Sequence, residues 1–418
     1  MSIELPTINA IVARLPEPEI NLAAYGGVVF PIALAIEAPV IMLLAASTAL
    51  SRDWQSYQRL KKITLWMGGF LMAVHILVAI TPIYDFIVNI LLDVPAVVVE
   101  PGRMGLLFLS PWTLGIAYRR FQQGTMIRFN RSHMVGETTV IRLITVSSIL
   151  TLGILTKRLP GTVLAGLAQG LGVTSEAIYA GLRIRKILPD IKQAPQTDKP
   201  LTLKRFVPFY FPLALTSYLW FLWQPLISAS ISRMPDPLES LAIWSVVTGL
   251  LFVFRAPGMA FNETVVAMLD IPQAYFSLRK FASILSMITL VFGLIIVLTP
   301  VSNLWFTFGA NLSKNLVPIA MTALSIGVPL TFMTIYINFF QGIIVKMEQT
   351  GPVAEAVVAF LLVMLAVLLW GVSSGRYKGV YVASAAYTAA HIAQAGWLFI
   401  RSRKGRLVLT GEQAASEG

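Results

Sequence analysis

The stretch ITLWMGGFLMAVHILVAIT, residues 63–81, is apolar on every helical face and long enough to cross a hydrocarbon core of roughly 30 Å as an α-helix. Runs of this kind recur along almost the whole chain, separated by short polar connections. Strands of a membrane barrel would instead show ~10-residue segments of strict alternation. With 56% hydrophobic and only 12% charged side chains, the chain reads as a polytopic all-α membrane protein with no soluble domain. Charged or Pro/Gly-rich punctuation sets the spans at about 24–50, 62–91, 102–120, 135–156, 160–182, 206–231, 238–268, 281–304, 312–345, 352–371 and 377–400. The opening MSIELPTINAIVA is apolar but too short to span alone.

The basic residues carry the orientation. Alternate connections, those holding Arg52 to Lys62, Arg119 to Arg131, residues 183–205, Arg279 and Lys280, Lys346, and Arg401 to Arg406, contain 22 Lys and Arg. The opposite connections contain eight, so the first set and the C-terminal tail are expected to be cytoplasmic, in a cell (inner) membrane. That distribution explains the net charge of +12 as a topology signal and argues against nucleic acid. The absence of cysteine excludes thiolate chemistry. The polar, Pro-containing connection 183–205 reads as a cytoplasmic linker between an N-lobe, 1–182, and a C-lobe, 206–400, with a tail at 401–418.

PTINAIVARLPEPEINLA at 6–23 is repeated as PLISASISRMPDPLESLA at 225–242. With an offset of 219, Pro6, Ile8, Arg14, Pro16, Pro18 and Leu22 meet Pro225, Ile227, Arg233, Pro235, Pro237 and Leu241. After a one-residue slip, Ala38, Pro39, Gln55, Tyr57, Leu60 and Lys62 meet Ala256, Pro257, Gln273, Tyr275, Leu278 and Lys280. Both copies run from a helix through an R-x-P-x-P turn into the next helix, so the halves are parallel repeats, an organisation used by transporters. The second copy has the apolar run 206–224 before Pro225, whereas the first has only MSIEL. The repeat therefore predicts a truncated first helix, with the true start upstream of Met1.

The run INAIVARLPEPEINLAAYGGVVFPIALAIEAPVIMLLAASTALSRDWQSYQRLKK resembles the first two helices of the multidrug/oligosaccharidyl-lipid/polysaccharide (MOP) exporter superfamily, which includes the MATE exporters. Within it, AAYGG, STALSRDWQSYQRLKK and RFVPFYFPLALTSYLWFLWQPLISASISR are most similar to the progressive ankylosis family. The resemblance implies a MATE-like two-lobe bundle of 12 helices, the first incomplete, working by rocker-switch alternating access. It also implies efflux of a small organic or phosphorylated anion. The acidic residue that many MATE members carry in the first C-lobe helix has no counterpart in FVPFYFPLALTSYLWFLWQPLI, which weakens the MATE pattern of cation coupling.

Charges at membrane depth cost ~2.5–3.5 kcal/mol each and mark substrate or ion paths. Glu37 in IEAP and Arg255 in FRAP occupy equivalent positions of the repeat, and Pro39 and Pro257 two residues later are expected to kink both helices. The alternative is that each charge pairs within its own lobe and only holds helices together. Asn262 and Glu263 lie about two turns beyond Arg255 and extend the candidate path, while His75 reads more readily as a packing histidine than as a proton relay. Arg103 with Glu100, and the aromatics Tyr25, Trp220 and Trp223, fit interfacial or packing roles.

No phosphate loop, metal-ligand spacing or nucleophile elbow is present, so neither an enzyme nor a cofactor or metal is expected. The leading expectation is a monomeric secondary exporter whose partners are a small anion, a possible coupling ion and the bilayer. MATE-type antiport of cations or drugs against sodium ions or protons is the second reading, and flipping of a lipid-linked substrate the third.

Overall fold

A computed structural model describes residues 3–196, 201–269, 274–347 and 351–410. It is all-helical, and the eleven expected spans are eleven helical tracts. Eight of these, among the described residues, are long and apolar enough to cross a membrane on their own. The other three are 96–128, which is interrupted at Ser110, and the helices Gly161–Arg183 and Gly379–Arg401. Their lower hydropathy has a physical source. Gly161–Arg183 buries Gln169 and Glu176, and Gly379–Arg401 buries His391 and Gln394, so these helices are protein core rather than lipid-facing wall.

Several span limits differ from those read in the sequence. The helix expected at 62–91 is Trp54–Ile80. It starts early because the Asp53 side chain accepts the Ser56 backbone N–H at 2.7 Å as an N-cap, and it stops where Pro82 follows. The span set at 102–120 continues as Pro111–Arg128, which places Arg119 and Arg120 inside a helix and not in a basic connection. The span at 206–231 is two helices, Leu203–Phe221 and Trp223–Ser232, and the first residues form the nine-residue helix Glu4–Val12.

The described residues fall into two compact units, one within 7–229 and the other within 230–410 together with 3–6. The Leu203–Phe221 helix groups with the first because it packs on the helix Phe30–Ile41.

The sequence repeat is reproduced in the backbone. Pro111–Arg128, His133–Thr156 and Gly161–Arg183 reappear as Pro329–Lys346, Gly351–Ser374 and Gly379–Arg401, each displaced by 218 residues at both ends. The π-turns Ile87–Leu91 and Trp305–Gly309 are a further such pair. Left-handed residues repeat as well. Asp93 and Asn311 (φ 54° and 48°), Lys157 and Gly375 (φ 50° and 60°), and Glu17 and Asp236 (φ 52° and 53°) are equivalent positions. Non-glycine residues rarely adopt this conformation, so its recurrence in the two all-non-glycine pairs marks the same backbone plan in both units.

The two R-x-P-x-P turns are anchored in corresponding ways with different chemistry. In the first unit Asn21 Oδ1 accepts the Thr162 backbone N–H and hydroxyl at 2.8 and 2.6 Å. In the second, Lys378 pairs with Asp236 at 2.7 Å and Glu239 at 3.3 Å, and the hydrogen bond to Asp236 holds its ammonium above the usual lysine range.

The one-residue slip between the copies has a structural cause. Between equivalent residues 23 and 242, and 37 and 255, the first copy holds one residue more than the second. In that interval the first copy contains the π-turn Tyr25–Val29, whereas the second runs as a continuous α-helix, Pro237–Met268. A π-turn is how an α-helix absorbs a single inserted residue. Deleting Gly26 is therefore expected to convert the turn to α-helix and leave a folded protein with Tm lowered by no more than a few degrees. Deleting Ala260 from the continuous helix should prevent folding, and thermal unfolding in detergent checks both.

Candidate functional site

Arg255 is buried on the Pro237–Met268 helix with 7% of its surface exposed. Its Nε donates to Thr334 Oγ1 at 2.8 Å, one terminal nitrogen to the Tyr387 hydroxyl at 2.5 Å, and the other to His391 Nε2 at 2.7 Å. A guanidinium nitrogen can only donate, so His391 Nε2 is the unprotonated acceptor and Nδ1–H donates to the Tyr387 carbonyl at 2.8 Å. That hydrogen-bond logic assigns the tautomer. The Thr334 hydroxyl itself donates to the Leu330 carbonyl at 2.7 Å. Asn262, one of the expected path residues, joins the same stripe. It donates to the Asn338 carbonyl at 3.0 Å, and Asn338 donates to the Thr334 carbonyl at 2.7 Å. The side chain of Glu263 lies outside the described residues. Aromatic rings enclose the cluster, with Phe360 edge-on to His391 at 4.9 Å and Trp244 edge-on to Tyr387 at 6.0 Å.

Among the described residues Arg255 makes no ion pair. Its three acceptors are neutral, and two of its five N–H groups are not used by them. Among the described residues this cation is thus held by neutral acceptors and by the Tyr387 ring, whose centroid lies 5.3 Å from the guanidinium carbon.

Glu37, the equivalent position in the first unit, is fully buried, and neither carboxyl oxygen has a hydrogen-bond partner among the described residues. The Thr113 hydroxyl faces it, with Arg119 and Arg120 the cations nearest in effect. Thr113 lies 3.0 Å from His75 Nδ1, and His75 Nε2 lies 2.9 Å from the Leu106 carbonyl. The carbonyl can only accept, so Nε2 carries the proton and Thr113 donates to Nδ1. Both His75 nitrogens are satisfied, as a packing histidine requires. The Thr113 proton is committed, which leaves its oxygen able only to accept from Glu37.

Pro39 lies near a break, where the Phe30–Ile41 helix ends and Met42 turns before Leu43–Leu50. The carbonyl of Pro39 accepts a hydrogen bond from the Tyr210 hydroxyl. No such interruption follows Pro257, whose helix continues to Met268. Arg103 is paired with Asp85 and Glu100 at 2.5 and 3.4 Å, and the Tyr25 hydroxyl donates to Gln169.

A second cluster in the first unit escapes the sequence reading. Glu176 accepts from Arg119 at 2.9 Å, Arg142 at 3.4 Å and Gln123 at 3.0 Å, tying three helices together. The span limit expected at 120 falls short of the helix end at Arg128 and so assigns Arg119 to the basic connection. The available signal was a single charge inside each of TTVIRLITV and GVTSEAIYAG. At the equivalent positions of the second unit Arg119 and Arg142 are replaced by Ile337, which is part of a buried apolar cluster, and Phe360, which packs on His391.

No protein-family model and no curated protein matches the chain. Solved structures do. A multidrug-resistance MATE family transporter of the MOP superfamily, inward-facing, superposes with a TM-score of 0.76 over 100% of this chain and 96% of its own, at 13% identity. The chain shares the fold of that transporter structure. The lipid II flippase MurJ, in an inward closed conformation, gives 0.71 over 98% and 88%, at 14% identity. A MOP transporter from Pyrococcus furiosus gives 0.60 over 97% and 95%, at 16% identity.

Removing the shared carboxylate of the buried network takes an ion-pair partner from both Arg119 and Arg142, so that Glu176 no longer offsets either buried charge. Glu176→Gln is expected to cost ~3–5 kcal/mol, read as a lowered Tm in detergent. Neutralising all three partners together, with Glu176→Gln, Arg119→Ile and Arg142→Phe as in the second unit, should recover most of that loss.

Proposed function

We propose that the protein is a secondary active exporter of a small organic or phosphorylated anion, working by alternating access, with Arg255 as the fixed counter-charge of its substrate. The observation that carries this reading is a buried guanidinium whose acceptors are all neutral and which has donors to spare. Exchanging a neutral acceptor for an oxyanion yields charge-assisted hydrogen bonds roughly twice as strong. The resemblance to the progressive ankylosis family points to the same substrate class. One similar structure, from Pyrococcus furiosus, is described as having a binding pocket of reverse polarity that suggests a different function. Export would run across the cell membrane with the basic connections and C-terminus cytoplasmic.

A second reading, cation antiport, is favoured by Glu37, whose buried carboxyl has no hydrogen-bond partner among the described residues. Uptake into inside-out vesicles separates the two. Arg255→Gln is expected to lower citrate or pyrophosphate uptake by about 30-fold or more, since leaving a buried charge pair unmade costs ~2–5 kcal/mol. Glu37→Gln should leave the anion as substrate. Arg255→Gln transporting normally while Glu37→Gln abolishes transport of a cationic dye would replace anion export with cation antiport.

A further inference from the structure

We propose that Arg120, inside the helix Pro111–Arg128, is a second oxyanion site, held by the first unit and independent of Arg255.

Arg120 is partly buried, and its Nε is sealed from the surface without a hydrogen-bond partner. Among the described residues nothing accepts a hydrogen bond from its guanidinium, and no carboxylate lies in ion-pair contact with it. A guanidinium carries five N–H donors and a permanent charge, so a half-buried one without an acceptor calls for a ligand. The adjacent Arg119 shows what the same helix interior ordinarily supplies, a carboxylate at 2.9 Å. The charged side chains acting on Arg120 are Arg119, Glu176, Arg142 and Glu37. Glu176 already accepts from Arg119, Arg142 and Gln123. Of these five side chains three are cations and two are carboxylates, an excess of at least one positive charge whatever the protonation of Glu37. An oxyanion balances that excess and offers the planar fork two charge-assisted hydrogen bonds.

The placement favours a soluble ligand. Thr113, Ala117, Arg120 and Gly124 share one face of their helix. Thr113 faces Glu37, and Gly124 lies so close to the neighbouring tract that a Cβ there would collide with the Leu44 carbonyl. The two tracts therefore run side by side in the same direction, with Arg120 level with the break at Met42 between Phe30–Ile41 and Leu43–Leu50. Pro111–Arg128 is packed by those two helices and by Trp54–Ile80 and Gly161–Arg183, so it is an interior helix and not part of the lipid-facing wall. A free carboxylate or phosphate group fits such a position better than a lipid headgroup, whose phosphate has the same chemistry. The equivalent position in the second unit is Asn338, which donates to the Thr334 carbonyl. The repeat thus sets a guanidinium without a carboxylate contact at 120 in one unit and at 255 in the other, on different helices.

Sulfate is the probe, titrated calorimetrically into the full chain in phosphatidylcholine nanodiscs. Arg120→Gln should bind one sulfate fewer per chain than the wild type, and the same loss should appear when both chains also carry Arg255→Gln. In that background the affinity of the remaining sulfate should fall about 30-fold or more on Arg120→Gln. Arg120→Lys, which keeps the charge and loses the fork, should still bind it, about tenfold more weakly. Glu37→Gln removes an opposing charge and should hold the Arg120 sulfate at least as tightly. A wild type whose one sulfate is lost in Arg120→Gln and kept in Arg255→Gln would support this site while overturning the Arg255 reading. A sulfate count unchanged by Arg120→Gln in both backgrounds overturns the Arg120 site, and is the result a lipid phosphate already seated on the guanidinium would give. A sulfate at Arg120 that appears only in Glu37→Gln makes Glu37 the partner of Arg120 and likewise overturns it.

Discussion

A charge carried into a low-dielectric interior must be met by something, and how each buried charge is met organises this molecule. Arg119 and Arg142 are met by Glu176, in a network with two cations on one carboxylate and Gln123 on its other oxygen. Such a network stabilises little compared with an apolar core, but breaking it is costly, so it fixes how three helices of the first unit pack. Arg255 is met differently. A hydroxyl, a phenol and an imidazole supply dipoles, with no countercharge among the described residues. In the first arrangement each guanidinium has a carboxylate partner, which reads as structural, whereas in the second the guanidinium has none among the described residues and reads as a site.

The duplication makes this contrast interpretable. Helix ends, π-turns and left-handed residues recur 218 or 219 residues apart, so the two units share a backbone plan. On that plan position 37 carries a carboxylate and position 255 a guanidinium. Histidine is likewise placed without symmetry, because His75 and His391 correspond to Gly293 and Val173. The copies have kept the geometry of the helices and diverged in what those helices present inward. Even the backbone departs from symmetry next to the candidate residues. The first unit has a π-turn before Glu37 and a break after Pro39, and the second is continuous through both places.

The fold was legible because its signals are local. Apolar length gave the eleven tracts, and the R-x-P-x-P turns with their flanks gave the repeat. Span limits went wrong where polarity was mistaken for exit from the membrane, as at Arg119 and Arg120, since a buried ion pair lowers hydropathy just as a loop does. Arg255 could be singled out as an isolated charge in an apolar run. Its partners could not, because Thr334, Tyr387 and His391 lie 79, 132 and 136 residues away and none looks unusual in its own helix. His391 in particular sits in YTAAHIAQAG, where nothing in the local pattern distinguishes it from a packing histidine such as His75.

The central claim is that the second unit holds an anion against Arg255. The most direct measurement is to locate one, by collecting anomalous diffraction from crystals of the wild-type protein equilibrated with selenate. The account predicts a selenium peak within hydrogen-bonding distance of the Arg255 guanidinium that vanishes in Arg255→Gln. Selenate bound elsewhere in the protein with none at Arg255, or a peak there that survives the substitution, would contradict it.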